Sequence, residues 1–305
     1  MAYMLLFMMN IASPYLARMN LQLNLARRFM IAVSLLAATA LHAADKGELV
    51  ATAGLLSPNG SAGGGITSWA ILSGYGSADS WGGAAQASTV VLDDYQLTSL
   101  AISVAVNNRF EIFASRNELD LPSRLGVPLG SIAQKTIGAK FRLGGDLIYG
   151  DVPQISLSAY YQDHEDESLL NALGGLRDSD TGVQLGVTRL WVDGLGHRTW
   201  LGHIGLRYDR ATYLGLLGHG VSGSDREVSI EAAGAVFLNR NLAIGAEYRQ
   251  MPDVLPGIAE DDWKDVFIAW FPNKNVSVAL AYVDAGEIVG LPSQNGVYVA
   301  VEVTQ

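Results

Sequence analysis

The sequence predicts an all-β fold, an antiparallel up-and-down transmembrane β-barrel of about twelve strands with short periplasmic turns and longer external loops. Three observations predict it. The chain is apolar on average without a long apolar run: charged residues are 16% of its 305, against roughly 25% in soluble domains. Mean hydropathy is +0.21, yet no stretch after the N-terminal region approaches the roughly 18–20 apolar residues of a membrane-spanning helix. Apolar residues instead recur at every second position, the period of a strand with one apolar face. The connections between these segments alternate short and long, as in outer-membrane barrels.

Taken in order, the N-terminus comes first. Arg27-Arg28 precedes the apolar run Phe29–Ala38, and small residues lead to Ala43-Ala44-Asp45. A basic start, a short apolar core and small residues before an acid read as a cleaved secretory signal. Cleavage is expected after Ala43, with Ala44 as the alternative, and Met19 would give a signal of ordinary length. Residues 1–43 are thus an N-terminal extension plus signal peptide, residues 44–85 a Gly-rich segment that the lumen could hold, and residues 86–305 the barrel. Within the second unit, Ser57–Gly65 (SPNGSAGGG) reads as irregular.

Strands are expected near 86–94, 97–106, 109–118, 133–144, 154–163, 181–192, 198–210, 227–238, 242–250, 263–271, 275–284 and 296–305. The even total brings both ends of the barrel to the periplasmic side. Segments 47–55 and 66–76 could add a pair, giving fourteen; twelve is preferred. Short turns fall at Asn107-Asn108, 144–153, 193–197, 239–241 and 272–274, where Asn and Gly tolerate the positive φ of tight hairpins. Longer connections fall at 119–132, 163–180, 211–226, 251–262 and 285–295.

The strand faces assign the surroundings. Leu100, Ile102, Val104 and Val106 share one face, with Ser99, Ala101, Ser103 and Ala105 opposite. A second face of small residues and mixed charges suits a crowded polar lumen, so the apolar face should meet lipid. Lumen-lining residues are then Glu111, Lys140, Arg142, Arg207, Glu231, Glu247 and Arg249, with Asp209, Glu227, Glu302 and His203 on the same side. A hairpin symmetric about Arg240 sets Leu238 opposite Leu242, Val236 opposite Ile244, Ala235 opposite Gly245 and Glu231 opposite Arg249, an expected cross-strand ion pair. Trp200 and Tyr208 share an apolar face eight residues apart. At about 3.3 Å per residue and a tilt near 40°, that is roughly 20 Å along the membrane normal. Tyr208, Tyr248 and Tyr282 are expected in an external aromatic girdle, and Trp191, Trp200 and Trp270 in a periplasmic one.

Chemistry is sparse. The chain has no cysteine and a net charge of −10, which excludes thiol chemistry and disulfides and argues against a nucleic-acid partner. Gly218–Gly223 matches GxGxxG but does not sit between a strand and a helix, and reads as a flexible external loop. His164 and Ser168 suggest an acyl-hydrolase pair, set against the simpler reading of a hydrated acidic loop. The acids of 163–167 and 260–262 could meet Ca²⁺ or Mg²⁺ but lack EF-hand spacing. No catalytic residue, metal site or cofactor is assigned.

Several blocks resemble a bacterial family of unknown function, domain of unknown function 3034. They are Ala62–Gly65, Trp69–Gly76, Leu92–Tyr95, Gly138–Lys140, Gly245–Gln250, Glu260–Trp263 and, most specifically, Ala269–Lys274. The similarity spans most of 47–300. It implies a secreted barrel-like protein and no activity or site residue. Barrel chains commonly end in an aromatic; here Gln305 stands at that position.

The expected function is a narrow passive channel or a structural surface protein of the outer membrane, with membrane lipid, lipopolysaccharide and the barrel-insertion machinery as partners. The alternatives are an outer-membrane acyl hydrolase and a soluble periplasmic barrel binding an apolar ligand. The last requires the apolar face to point inward.

Overall fold

The computed structural model describes residues 53–121, 130–165, 177–221, 225–254 and 260–305. The signal-peptide assignment, Ser168 and the acids at 166 and 167 lie outside these residues. Among the described residues fourteen strands form. Two are two-residue pieces, β1 (Leu55–Leu56) and β2 (Ala62–Gly63). The others are β3 (Trp81–Leu92), β4 (Gln96–Val106), β5 (Phe110–Asp120), β6 (Ser131–Gly144), β7 (Gln154–His164), β8 (Ser179–Trp191), β9 (Thr199–Asp209), β10 (Glu227–Asn239), β11 (Leu242–Arg249), β12 (Trp263–Asn273), β13 (Val276–Asp284) and β14 (Asn295–Thr304). Strands β3 to β14 form one closed twelve-stranded barrel in which each pairs antiparallel with its chain neighbours. The seam closes between β14 and β3, from Gly296↔Leu92 to Thr304↔Ala84. Closure leaves no unpaired strand edge. Among the described residues no helix is long and apolar enough to cross a membrane.

Period two decides which side chains point where. Leu100, Ile102, Val104 and Val106 face outward and are exposed, while Ala101, Ser103 and Ala105 are buried inside. The same division holds for Ile204, Leu206 and Tyr208 outside and His203, Arg207 and Asp209 inside. The inward-facing apolar barrel is therefore overturned: exposed apolar side chains cover the outer wall from β3 to β14.

Three details differ from the sequence reading, and the choice between twelve and fourteen strands falls on the preferred number. The barrel begins at Trp81, five residues before the expected start. Gly82 and Gly83 hide the alternation there, and Gly82 is needed because a Cβ would lie 2.6 Å from the Gly76 backbone nitrogen. Segment 66–76 supplies no barrel strand, which settles the count at twelve. The connection between β3 and β4 is short although it lies at the end of the barrel that carries the long loops. Finally, the β10–β11 turn is the two-residue Arg240-Asn241, with Asn239↔Leu242 paired. The ladder slips between Phe237 and Asn239, so Leu238 does not face Leu242. A bulge absorbs the odd residue, and the Asn239 carboxamide accepts the Asn241 N–H at 2.8 Å. Below the bulge Glu231↔Arg249, Ala235↔Gly245 and Val236↔Ile244 stand as expected.

Candidate functional site

The lumen is filled by the chain itself. Residues 53–76 enter from the short-turn end, through Ser77-Ala78-Asp79-Ser80, and are buried almost throughout. They make little regular structure beyond the β1–β2 ladder. A hydroxyl–amide knot holds their shape: Ser57 Oγ lies 2.7 Å from Asn59 Oδ1 and 2.8 Å from Ser68 Oγ, and Ser61 Oγ lies 2.8 Å from Ser68 Oγ. Such an irregular segment brings backbone N–H and C=O groups into a dry interior, and each needs a partner.

The wall supplies those partners. Lys140 Nζ donates to the carbonyls of Ala62, Trp69 and Ile71 at 2.7, 2.9 and 3.1 Å. Beside it, Glu111 accepts the N–H groups of Ala62 and Ser73, and the two charges lie 3.6 Å apart. Glu247 accepts the Ile66 N–H at 2.8 Å, and Glu231 the Ser68 N–H at 3.1 Å. Arg249 donates to the Ile66 carbonyl. Gln86 grips both backbone groups of Leu56, and Gln154, Gln184 and Thr188 take main-chain groups of Ala70 and Ser68. Ion pairs hold the charged wall residues in place: Glu231 lies 3.1 Å from Arg207 and 3.4 Å from Arg249, and Arg207 lies 3.4 Å from Asp209.

Of the residues expected to line the lumen, Glu111, Lys140, Arg207, Glu231, Glu247 and Arg249 are buried inside and belong to this network. Arg142 sits instead at the short-turn mouth, 3.2 Å from Asp146, beside a cavity of about 200 Å³ that also reaches Asn108 and Tyr149. Glu227 is exposed at the opposite rim, where it accepts the Asp253 N–H. Glu302 and His203 are inside, and His203 Nδ1 lies 2.9 Å from Thr188 Oγ1. The sequence reading missed Asp265, which is buried opposite Glu247 in the β11–β12 ladder, and the glutamines above. Continuing the period-two pattern from Trp263 would have placed Asp265. The girdle residues Trp191, Trp200, Tyr208, Trp270 and Tyr282 are exposed on the outer wall, and Tyr248 is half-buried with its hydroxyl on Asp262.

A second seal closes the loop end. Residues 211–220 are all buried, which corrects the flexible-loop expectation for Gly218–Gly220; residues 222 and 223 lie outside the described residues. Tyr213, Leu214, Leu216 and Leu217 pack with Leu119, Ile132, Met251, Trp263 and Ile288. The Leu214 carbonyl accepts from Gln134 and Gln162, both at 3.0 Å, and the Tyr213 N–H donates to Glu260 at 2.7 Å. Burial pushes the Glu260 carboxyl up to about 8, with nearby Asp253 adding to the rise, and pushes the Tyr213 phenol up to about 12. Burial also lowers the His219 imidazole to about 4.

Of the suggested hydrolase pair, His164 lies among the described residues and Ser168 outside them. His164 is buried inside the barrel beneath the cap, with Nε2 2.9 Å from the Leu216 carbonyl, rather than on the outer wall. The acids of the two loop clusters hold neighbours: Glu165 pairs with Arg116 and Lys135, Asp261 accepts the Glu287 N–H, and Asp262 accepts the Met251 N–H. Among the described residues no group of three or more His, Cys, Asp or Glu could hold a metal ion.

The architecture defines a closed twelve-stranded antiparallel barrel with an apolar exterior and a polar, self-filled interior. The chain belongs to the family described as "Protein of unknown function (DUF3034)", whose model matches residues 52–302. No curated protein matches it. Similar solved structures include a KdgM porin (12% identity, 72% of this chain and 98% of that one, TM-score 0.43). A NanC porin (8%, 73% and 99%, 0.46) and the outer membrane protein Omp33 of Acinetobacter baumannii (10%, 74% and 99%, 0.43) are others. At these identities and TM-scores no property of those proteins transfers to this chain.

Proposed function

We propose that the protein is an outer-membrane barrel that is closed to solutes at rest, a structural surface barrel rather than an open passive channel. The outer wall supports the membrane reading. Its apolar side chains form a continuous band, with Trp191, Trp200 and Trp270 toward the short-turn end and Tyr208, Tyr248 and Tyr282 toward the loop end, as girdles at two interfaces require. The short turns then face the periplasm and the long loops the exterior. Outer-membrane lipid, lipopolysaccharide and the insertion machinery are the partners such a barrel would meet.

One observation carries the closed reading. Five charged wall residues that would attract and select solutes in a channel, Glu111, Lys140, Glu231, Glu247 and Arg249, are spent on the main chain of residues 53–76. Lys140 alone holds three of its carbonyls. Planar-bilayer recording tests this. The unmodified protein should give no steady conductance, and its unboiled form should migrate apart from the boiled form in SDS gels. Steady open-channel current overturns the closed state. Co-migration together with recovery in the soluble periplasmic fraction overturns the membrane placement.

A further inference from the structure

The contacts between wall and segment are unusual in what they read. Thr67 Oγ1 on Glu247 and Ser73 Oγ on Ser103 at 2.7 Å use a side chain of the segment. The bonds from Gln86, Glu111, Lys140, Gln184 and Arg249 go to its main-chain N–H and C=O groups. Even the Pro58 carbonyl is taken by both Ser115 and Asn117, at 2.7 and 2.9 Å. A closed barrel has no free strand edge to pair with a peptide, so its side chains must do the recognition. Here they come from strands all around the wall: Gln86, Glu111, Lys140, Gln184, Glu231 and Glu247.

What the wall accepts is therefore a compact backbone that is side-chain-free at its tightest positions, with apolar side chains such as Leu56, Ile66, Trp69 and Ile71 packed into the apolar parts of the interior. The steric evidence agrees. A Cβ at Gly64 would lie 2.0 Å from Glu247 Oε1 and 2.8 Å from the Trp69 ring, and one at Gly60 would lie 2.7 Å from the Ala114 carbonyl of the wall. Gly60 also has φ of +96°, which L side chains rarely adopt. The segment keeps its own shape through the Ser57–Asn59–Ser61–Ser68 knot and joins the barrel covalently through the exposed stretch 77–80.

We propose that the lumen is a binding site for polypeptide main chain of the glycine- and serine-rich kind, and that residues 53–76 are its resident, exchangeable ligand. The site uses the closed barrel and does not depend on its placement in a membrane. The same segment presented in trans by a second copy of this chain meets the same donors and acceptors once the resident segment leaves through the short-turn mouth.

The test keeps the full chain. A specific protease site is inserted between Ala78 and Asp79, the protein is folded in detergent, and the chain is then cut. The cut segment should stay with the barrel and exchange, saturably, with a fluorescent synthetic peptide of residues 53–76. The same peptide carrying Gly64→Val should fail to enter. Three results overturn the proposal: the cut segment departs and the peptide does not bind although the barrel keeps its gel shift; the segment never exchanges; or the Gly64→Val peptide enters equally well. Each leaves the closed-barrel reading standing, because conductance and gel shift of the uncut protein report on that separately.

Discussion

Residues 53–76 and residues 211–220 both fill the barrel, by unlike chemistry. At the centre, charged wall residues grip main-chain atoms, and ion pairs among Glu231, Arg207 and Arg249 hold the grip in place. At the loop end, Tyr213, Leu214, Leu216 and Leu217 close the mouth by packing against Met251, Trp263 and Ile288, with a few polar side chains satisfying the cap's backbone. Removing one partner at the centre leaves a buried charge without its counterpart. At the loop end it leaves a void. The first is costlier, and the two seals should therefore fail separately.

The largest effect should come from Glu231→Gln, which leaves Arg207 and Arg249 buried with less counter-charge. A loss of about 3–5 kcal/mol is expected for a broken buried pair, read by urea unfolding of the detergent-folded protein. A loss under about 1 kcal/mol would erase the distinction between the seals. Leu216→Ala should cost about 2–4 kcal/mol through the cavity it opens. Its signature is local: proteolysis within 211–220 should quicken while 53–76 stays protected. If both segments become cleavable together, they form one cooperative unit.

A pH series sharpens the contrast at the cap. Glu260 is raised from about 4.5 to about 8, chiefly by burial, with Asp253 contributing in the same direction and Arg207 opposing. A carboxyl raised on folding favours the folded form while it is neutral. Its contribution is fully present below about pH 4.5 and is lost as pH rises through about 8. Cleavage of the cap should thus accelerate over that window in the wild type and much less in Glu260→Gln; equal pH profiles would refute the role given to this carboxyl. The smallest effect is expected outside the barrel. Glu165→Gln removes the pairing with Arg116 and Lys135 but should change stability by less than about 1 kcal/mol, because those charges remain hydrated.

The wall was legible in the sequence to within a few residues, because alternation acts on each strand locally. Leu100 to Val106 on one face and Ser99 to Ala105 on the other needed no knowledge of the partner strand. Glu231 opposite Arg249 followed from a single hairpin. The one-residue error at Leu238 came from the turn, where two- and three-residue connections share the same Asn-rich sequence. Trp81–Ala85 escaped notice because glycines carry no hydropathy signal. The cap differs for a related reason: the glycines of Gly218–Gly223 suggest a free loop, but Gln134, Gln162, His164 and Glu260, far away in sequence, bury 211–220.

By itself, the sequence determined an all-β chain of twelve barrel strands, their inward and outward faces, and most of the charges inside, Asp265 excepted. Period-two alternation and turn chemistry are short-range, and both survive without tertiary information. Only the tertiary structure decided what those charges do. Whether Lys140 faces an open pore or three carbonyls of the chain's own segment depends on contacts separated by about seventy residues. An irregular, glycine-rich stretch such as Ser57–Gly65 has no periodicity that announces such contacts; its place is fixed by the wall that satisfies its backbone.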